Sequence, residues 1–315
     1  MKKLTILLIL LFFGINGKSQ TTNLTDETRL NLDSIYFSNQ SLDSLTRLIT
    51  SVELKSKLNQ VFTLSYWISK HIRYDNEGLI NGYWHKQTFD KTLATKVIEK
   101  GKTICGGYAM LAKTMFDQIG VENEIIVGTA KGRNYDDSST NENHAWNAVK
   151  IDSTWYIFDL TWSSPKKEHQ KVNEFYFNPN PELLISTHYP NEHKWTLLDK
   201  KYTREQFTNM PRVNANFFKF GLSNSIPTII FDTNQISFDL SNNFDGNIGI
   251  ILHEKGTYNS DIIEYTVIKN QNSQTILVPI PDDNKTYKLE VTYISANPML
   301  KHFELLTVET KNPVD

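Results

Sequence analysis

Cysteine is almost missing from this sequence: Cys105 is the only one in 315 residues. No internal disulfide can form, so stability rests on the core, and one thiol is left to be explained. An excess of either charge is missing too. There are 33 Lys and Arg against 35 Asp and Glu, a formal net charge of -2, with no basic cluster. Nucleic acid and anionic membrane surfaces are therefore poor partners. Long apolar runs are absent except at the start, where Met1-Lys2-Lys3 precedes Leu4 to Ile15, broken only by Thr5 and Gly14. That run is shorter than the ~20 residues a membrane helix needs. Its basic start and the small residues that follow predict a signal peptide over residues 1–20. The expectation is an exported protein, periplasmic or extracellular, with no stable membrane insertion after cleavage.

Residues 21–40 are rich in Asn, Asp, Ser and Thr and read as a loose polar lead-in. Helical spacing begins at Ser41-Leu42-Asp43-Ser44-Leu45. It strengthens between Lys55 and Arg73, where Leu58, Val61, Phe62, Ile68 and Ile72 recur. Phe89 to Lys100 predicts a further helix stopped by Gly101. Ala109 to Ile119 predicts an apolar helix ended by Gly120, and Glu124 to Ala130 a strand. His144 to Ile151 and Trp155 to Trp162 predict a hairpin turning at Asp152-Ser153-Thr154. Helices followed by an antiparallel sheet make this part α+β. After Pro211 the composition changes. Seven short alternating runs lie between Thr228 and Glu309, among them Ile236–Leu240, Ile262–Ile268 and Tyr287–Tyr293, and suggest a β-sandwich. The expected domains are 41–215 and 225–315.

Cys105 lies in Gly101-Lys102-Thr103-Ile104-Cys105-Gly106-Gly107-Tyr108, at the start of the apolar helix. A helix N-terminus and a nearby imidazolium both lower a thiol pKa, and the thiolate is the nucleophile. Gly106 and Gly107 leave the backbone open to a substrate carbonyl, with the Cys105 N–H as an oxyanion donor. His144 is placed to move protons and Asp159 to orient it, the logic of a catalytic triad. The hairpin brings the strand regions of His144 and Asp159 together, although a slip of one residue would turn one of them away. Taken singly, a lone Cys is most often an inert core residue. Asp159 between Phe158 and Leu160 is harder to read that way, because carboxylates in apolar strands are rarely buried unpaired. The second oxyanion donor stays open. Gln87, Trp84 and Tyr83 are candidates, with packing the plainer role for the aromatics, and Tyr108, Trp146 and Trp162 wall the site or fill the core. His188 and His193, with Glu192 between them, fit no zinc spacing and read as surface or packing residues. Asp282-Asp283-Asn284 reads as a hairpin turn rather than a calcium loop.

At Cys105-Gly106-Gly107-Tyr108-Ala109, Asn143-His144-Ala145-Trp146-Asn147 and Trp155 to Trp162, the sequence resembles the transglutaminase-like superfamily of papain-like cysteine enzymes. The likeness is nearest to its kyphoscoliosis-peptidase-like branch and related bacterial secreted proteins. Lys131-Gly132, Phe175-Tyr176-Phe177, His188-Tyr189-Pro190 and Trp195-Thr196-Leu197-Leu198 extend it over roughly Lys55 to Leu198. The resemblance implies Cys105 as nucleophile, His144 as general base and Asp159 as orienter, in a core where the Cys helix packs on an antiparallel sheet. No cofactor and no metal are expected. The expected partner is a protein or peptide substrate, with a cell-wall peptide among the candidates, and hydrolysis is slightly preferred to transamidation. The rival expectation is a binding or scaffolding protein that keeps the fold without catalysis.

Overall fold

In a computed structural model, residues 24–309 are described, except 38–39, 53–55, 133–141, 169, 233, 243, 245, 282–284 and 295–302. The expected signal segment and Asp282-Asp283-Asn284 lie outside the described residues. No helix among the described residues is long and apolar enough to cross a membrane.

The first half is built on two buried helices. Lys57–His71 is buried without a break from Val61 to Ser69. Cys105–Gln118 buries Gly107 to Ala112, then Met115 and Phe116. Short polar caps set the helix starts: the side chains of Ser41, Ser56 and Asp90 each accept a backbone N–H from the first turn. Gly101, at φ 61°, ends helix Lys91–Lys100. The chain then runs directly into Lys102–Thr103, which pairs in parallel with Arg73–Tyr74. This two-strand clip delivers Cys105 to the start of its helix. A four-stranded antiparallel sheet packs beside that helix, in the order Thr154–Phe158, His144–Ile151, Glu122–Ala130, His188–Pro190. Asn147 Nδ2 donates to Ala109 O at 3.0 Å and ties the His144 strand to the Cys helix.

Gly107 is required by packing. A Cβ there would stand 2.8 Å from Thr103 Cβ and 2.9 Å from its Cγ2, closer than real contacts allow, and Thr103 is fully buried. Gly107→Ala is expected to lower stability by about 1–3 kcal/mol through overpacking, despite a gain of up to about 1 kcal/mol in helix propensity. Thermal unfolding of Gly107→Ala with and without Thr103→Ala checks this. The second substitution should restore part of the loss, and its failure to do so would remove the packing explanation.

The second half is a pair of antiparallel sheets. One has the order Ser260–Ile263, Asn247–Glu254, Tyr287–Ile294, Phe303–Glu309, Arg212–Val213. The other has the order Thr266–Lys269, Ser273–Pro279, Gln235–Ser241, Ile230–Asp232. Alternate side chains such as Ile236, Phe238 and Leu240 meet Ile248, Ile250 and Leu252 in a separate core. The architecture is thus α+β, a Cys-bearing helix packed beside an antiparallel sheet, followed by a C-terminal sandwich.

Three elements differ from the sequence reading. Residues 26–33, taken as loose, form a helix that starts on the Thr25 side chain. Leu24 and Leu32 bury in the first core, and Arg29 holds Glu174 through Nε at 2.7 Å and Nη2 at 3.0 Å. The run Ile262–Ile268 is two strands, Ser260–Ile263 and Thr266–Lys269, which pair in different sheets, so the chain crosses the sandwich between them. The strand from Trp155 stops at Phe158, and Asp159 caps a short helix, Leu160–Ser163. In addition, Val213, Phe217 and Leu222 belong to the sandwich core and Arg212–Val213 to its sheet, although they lie before residue 225.

Candidate active site

The Cys105 helix has no side-chain cap at Ile104. The Gly107 and Tyr108 N–H groups donate to Ile104 O at 2.9 and 3.1 Å, which leaves the N–H groups of Cys105 and Gly106 without an intrahelical acceptor. Cys105 is half-buried at that end, with a free thiol. The His144 ring and the Ala145 N–H hydrogen-bond its sulfur. Burial alone pushes the thiol pKa up. The bond and charge of His144, with the Ala145 N–H, outweigh burial and bring it below the ordinary value.

His144 is 8% exposed and opens its strand. Its position is fixed from the side: Asn143 Oδ1 accepts the Ala130 N–H at 2.7 Å and extends the ladder by one side chain. His144 Nε2 lies 2.7 Å from Asp159 Oδ2, which leaves Nδ1 for the sulfur. Burial opposes charge on the ring, but Asp159 and Cys105 overcome it and push the pKa up to about 10. Asp159 is 1% exposed. Burial would raise its pKa, but the two histidines against it hold it well below the usual carboxylate range. Its Oδ1 accepts the Trp162 N–H at 2.9 Å. The same cap that ends the strand therefore aims Oδ2 at His144.

The second of those histidines is His188, which the sequence reading assigned to surface or packing. It is 2% exposed, and its Nε2 lies 2.9 Å from the same Oδ2. Its strand pairs with Glu122–Ala130 on the side opposite the His144 strand. Gly128 is the partner of both His144 and Pro190, and Ala130 of His188. Gly128 permits this approach, because a Cβ there would stand 2.8 Å from Trp146 Cη2 and from Pro190 Cα. Trp162 and Trp146 pack edge-on to the His188 ring at 4.6 and 5.2 Å. His193, which was grouped with His188, instead starts a separate turn, His193–Thr196. His144, Asp159 and His188 each offer a metal-ligating atom, all within 4.8 Å of one another. The two His–Asp separations are those of hydrogen bonds, shorter than the roughly 3.3 Å between donors around a tetrahedral zinc.

Three of the candidate donors, Trp84, Gln87 and Tyr108, are otherwise engaged, whereas Trp146 Nε1 is buried without a hydrogen-bond partner among the described residues. Trp84 Nε1 donates to Asp75 Oδ2 at 2.8 Å. Gln87 donates to Tyr83 O at 2.9 Å and accepts from Lys96 Nζ at 2.6 Å. The Tyr108 hydroxyl donates to Ile72 O at 2.6 Å. Trp146 stacks on His144 at 5.8 Å. Tyr74 lies near enough to Cys105 for the thiolate's charge to act on its hydroxyl. Burial, then the charge of Cys105, pushes its pKa up to about 12, so it keeps its proton. Lys166 Nζ lies 5.6 Å from the Tyr74 ring centre. The parallel clip Tyr74↔Thr103 puts Tyr74 there, a long-range pairing that helix and strand periods do not reveal.

The structure thus places a thiol at a helix start, an imidazole beside it and a buried carboxylate behind the imidazole. Residues 44–160 match the family model described as the transglutaminase-like superfamily. The chain is 33% identical to the kyphoscoliosis peptidase of Mus musculus over 184 residues, 56% of this chain and 27% of that protein. The Homo sapiens kyphoscoliosis peptidase is 32% identical over the same shares. Cytokinesis protein 3 of Schizosaccharomyces pombe is 27% identical over 52% of this chain and 19% of that one. The matched stretch thus spans about a quarter or less of these relatives.

Proposed function

We propose that this protein is an exported cysteine enzyme that attacks amide bonds of a protein or peptide substrate. The observation that carries the reading is the buried His144–Asp159 hydrogen bond, 2.7 Å, beside a Cys105 thiol at a helix start whose pKa His144 lowers. The Cys105 thiolate adds to the amide carbonyl, and the helix-start N–H groups take the developing oxyanion. His144 imidazolium gives its proton to the leaving amine, the C–N bond breaks, and a thioester remains. Neutral His144 then takes a proton from water, whose oxygen attacks the thioester. The C–S bond breaks and the thiolate–imidazolium pair returns. An amine acceptor in place of water gives transamidation. Hydrolysis is preferred, since it needs no amine site. A cell-wall peptide fits an exported enzyme, and the sequence start at residues 1–20 is what supports export.

Iodoacetamide kinetics test the reading. At pH 6 a free cysteine is only about 0.3% thiolate. Cys105 is expected to keep reacting there at about ten times the rate of free cysteine or more, even though a low-pKa thiolate is intrinsically less nucleophilic. A screen of protein and peptidoglycan-derived peptides should then give turnover that Cys105→Ala abolishes. An ordinary thiol profile without turnover would favour the rival, a binding protein that keeps the fold.

A further inference from the structure

Two imidazoles meet one carboxylate oxygen in this site. His144 Nε2 and His188 Nε2 lie 2.7 and 2.9 Å from Asp159 Oδ2, and all three residues are buried. Asp159 carries one negative charge, which one imidazolium neutralises. A second buried cation would be uncompensated and costly. His144 takes the charge, because the sulfur also favours it. His188 is the neutral ring, and burial pushes its pKa down although Asp159 opposes this. A neutral imidazole facing a carboxylate presents its N–H there, so Nε2 carries the proton. Nδ1 then accepts from the Thr187 hydroxyl, 2.9 Å away and nearer than that hydroxyl's other acceptor, Leu184 O at 3.2 Å. One donor–acceptor assignment thereby satisfies Thr187, His188, Asp159 and His144 together.

Asp159 does not need His188 to hold its place. Its Oδ1 is bound by the Trp162 N–H, its own N–H donates to Tyr176 O at 3.0 Å, and its carbonyl accepts the Ser163 hydroxyl at 2.7 Å. The second imidazole therefore acts on the charge of Oδ2. A donor to a carboxylate stabilises the anion and lowers its affinity for a further proton. We propose that His188 is a positioning residue whose Nε2–H occupies half of Asp159 Oδ2 and so limits how tightly Asp159 holds the His144 imidazolium. On the acyl-transfer reading, on which this role rests, His144 must surrender its proton to the leaving amine. A carboxylate that gripped the imidazolium alone would make it a poorer acid. The other charged or titratable groups that act here are Cys105 on His144, and Lys166 and the Tyr108 and Tyr176 hydroxyls through Asp159.

The test is an NMR titration of the isotope-labelled His144 ring in the full chain carrying Cys105→Ala. This background removes the sulfur's contribution and brings the midpoint below that of the intact pair. Adding His188→Phe is expected to raise the His144 midpoint by about half to one pH unit. His188→Gln, whose amide nitrogen reaches as far as Nε2, is expected to leave it nearly unchanged. His188→Asn, which stays polar but falls short of Oδ2, should behave like Phe and serves if the Phe variant does not fold. An unchanged or lowered midpoint in the Phe or Asn variant would overturn the proposal, and so would an equal rise in the Gln variant. The titration is read without the thiol, so an unreactive Cys105 would sink the enzymatic reading and leave this measurement standing.

Discussion

His144→Ala is expected to slow alkylation of Cys105 at pH 6 by about tenfold or more and to move its pH profile upward. The thiol then loses its imidazole partner and keeps the burial that pushes its pKa up. Each unit of rise removes a factor of ten in thiolate below the midpoint, of which greater intrinsic nucleophilicity returns about half in the logarithm. Turnover should fall much further, because the proton donor for the leaving amine is gone. In the serine-protease template the corresponding loss is on the order of a million-fold. Stability should fall as well, since a buried carboxylate loses its cation. Breaking such a pair costs about 3–5 kcal/mol, and less here to the extent that His188 accepts the charge. An alkylation profile identical to that of the native protein would separate the thiol from His144 and end the catalytic reading.

Asp159→Asn is expected to leave the fold nearly intact and to cost on the order of a hundred- to ten-thousandfold in turnover. The amide oxygen can still accept the Trp162 N–H, so the cap survives. The amide nitrogen then faces two Nε2 atoms and donates to them. His144 must carry its proton on Nδ1, towards the sulfur, which is the wrong tautomer for a base. The Cys–His pair exists largely as ions and needs less help than Ser–His, so the loss can be smaller than in the serine enzymes. The pH dependence of stability should change with it. His144 has a raised folded pKa, so its contribution is complete below about 6.5 and is lost as pH rises through about 10. Asp159 has a depressed one, so its contribution is present above about 3.9 and is lost as pH falls through its folded value. Chemical denaturation against pH should show both limbs in the native protein and neither in Asp159→Asn. Unchanged limbs would mean that the pair is not coupled to folding.

What could be read in the sequence had local causes. Cys105 at a helix start followed from Gly101 and the apolar run behind it, and the sandwich strands followed from their alternation. What could not be read depends on pairings between distant segments. His188 reaches Asp159 only because a three-residue strand crosses to the far side of Glu122–Ala130. Tyr74 comes beside Thr103, two residues before Cys105, only through a two-residue parallel clip. Asp159 had a local signal, since an Asp three residues before the end of an aromatic run can cap a helix, but the strand alternation of Trp155 to Phe158 masked it. The helix at residues 26–33 is mostly polar because Leu24 and Leu32 alone anchor its apolar side in the core.

The strand Arg212–Val213 hydrogen-bonds to Phe303–Glu309, and Arg212 pairs with Glu304 at its edge. The sandwich thus takes part of its sheet from chain that precedes the composition change. A gene fusion that transplanted the C-terminal module from residue 225 onward would leave that strand behind, along with Phe217 and Leu222. The recipient would gain a sheet with a bare edge, and the donor would be left with a greasy stump. The portable cassette begins at Arg212.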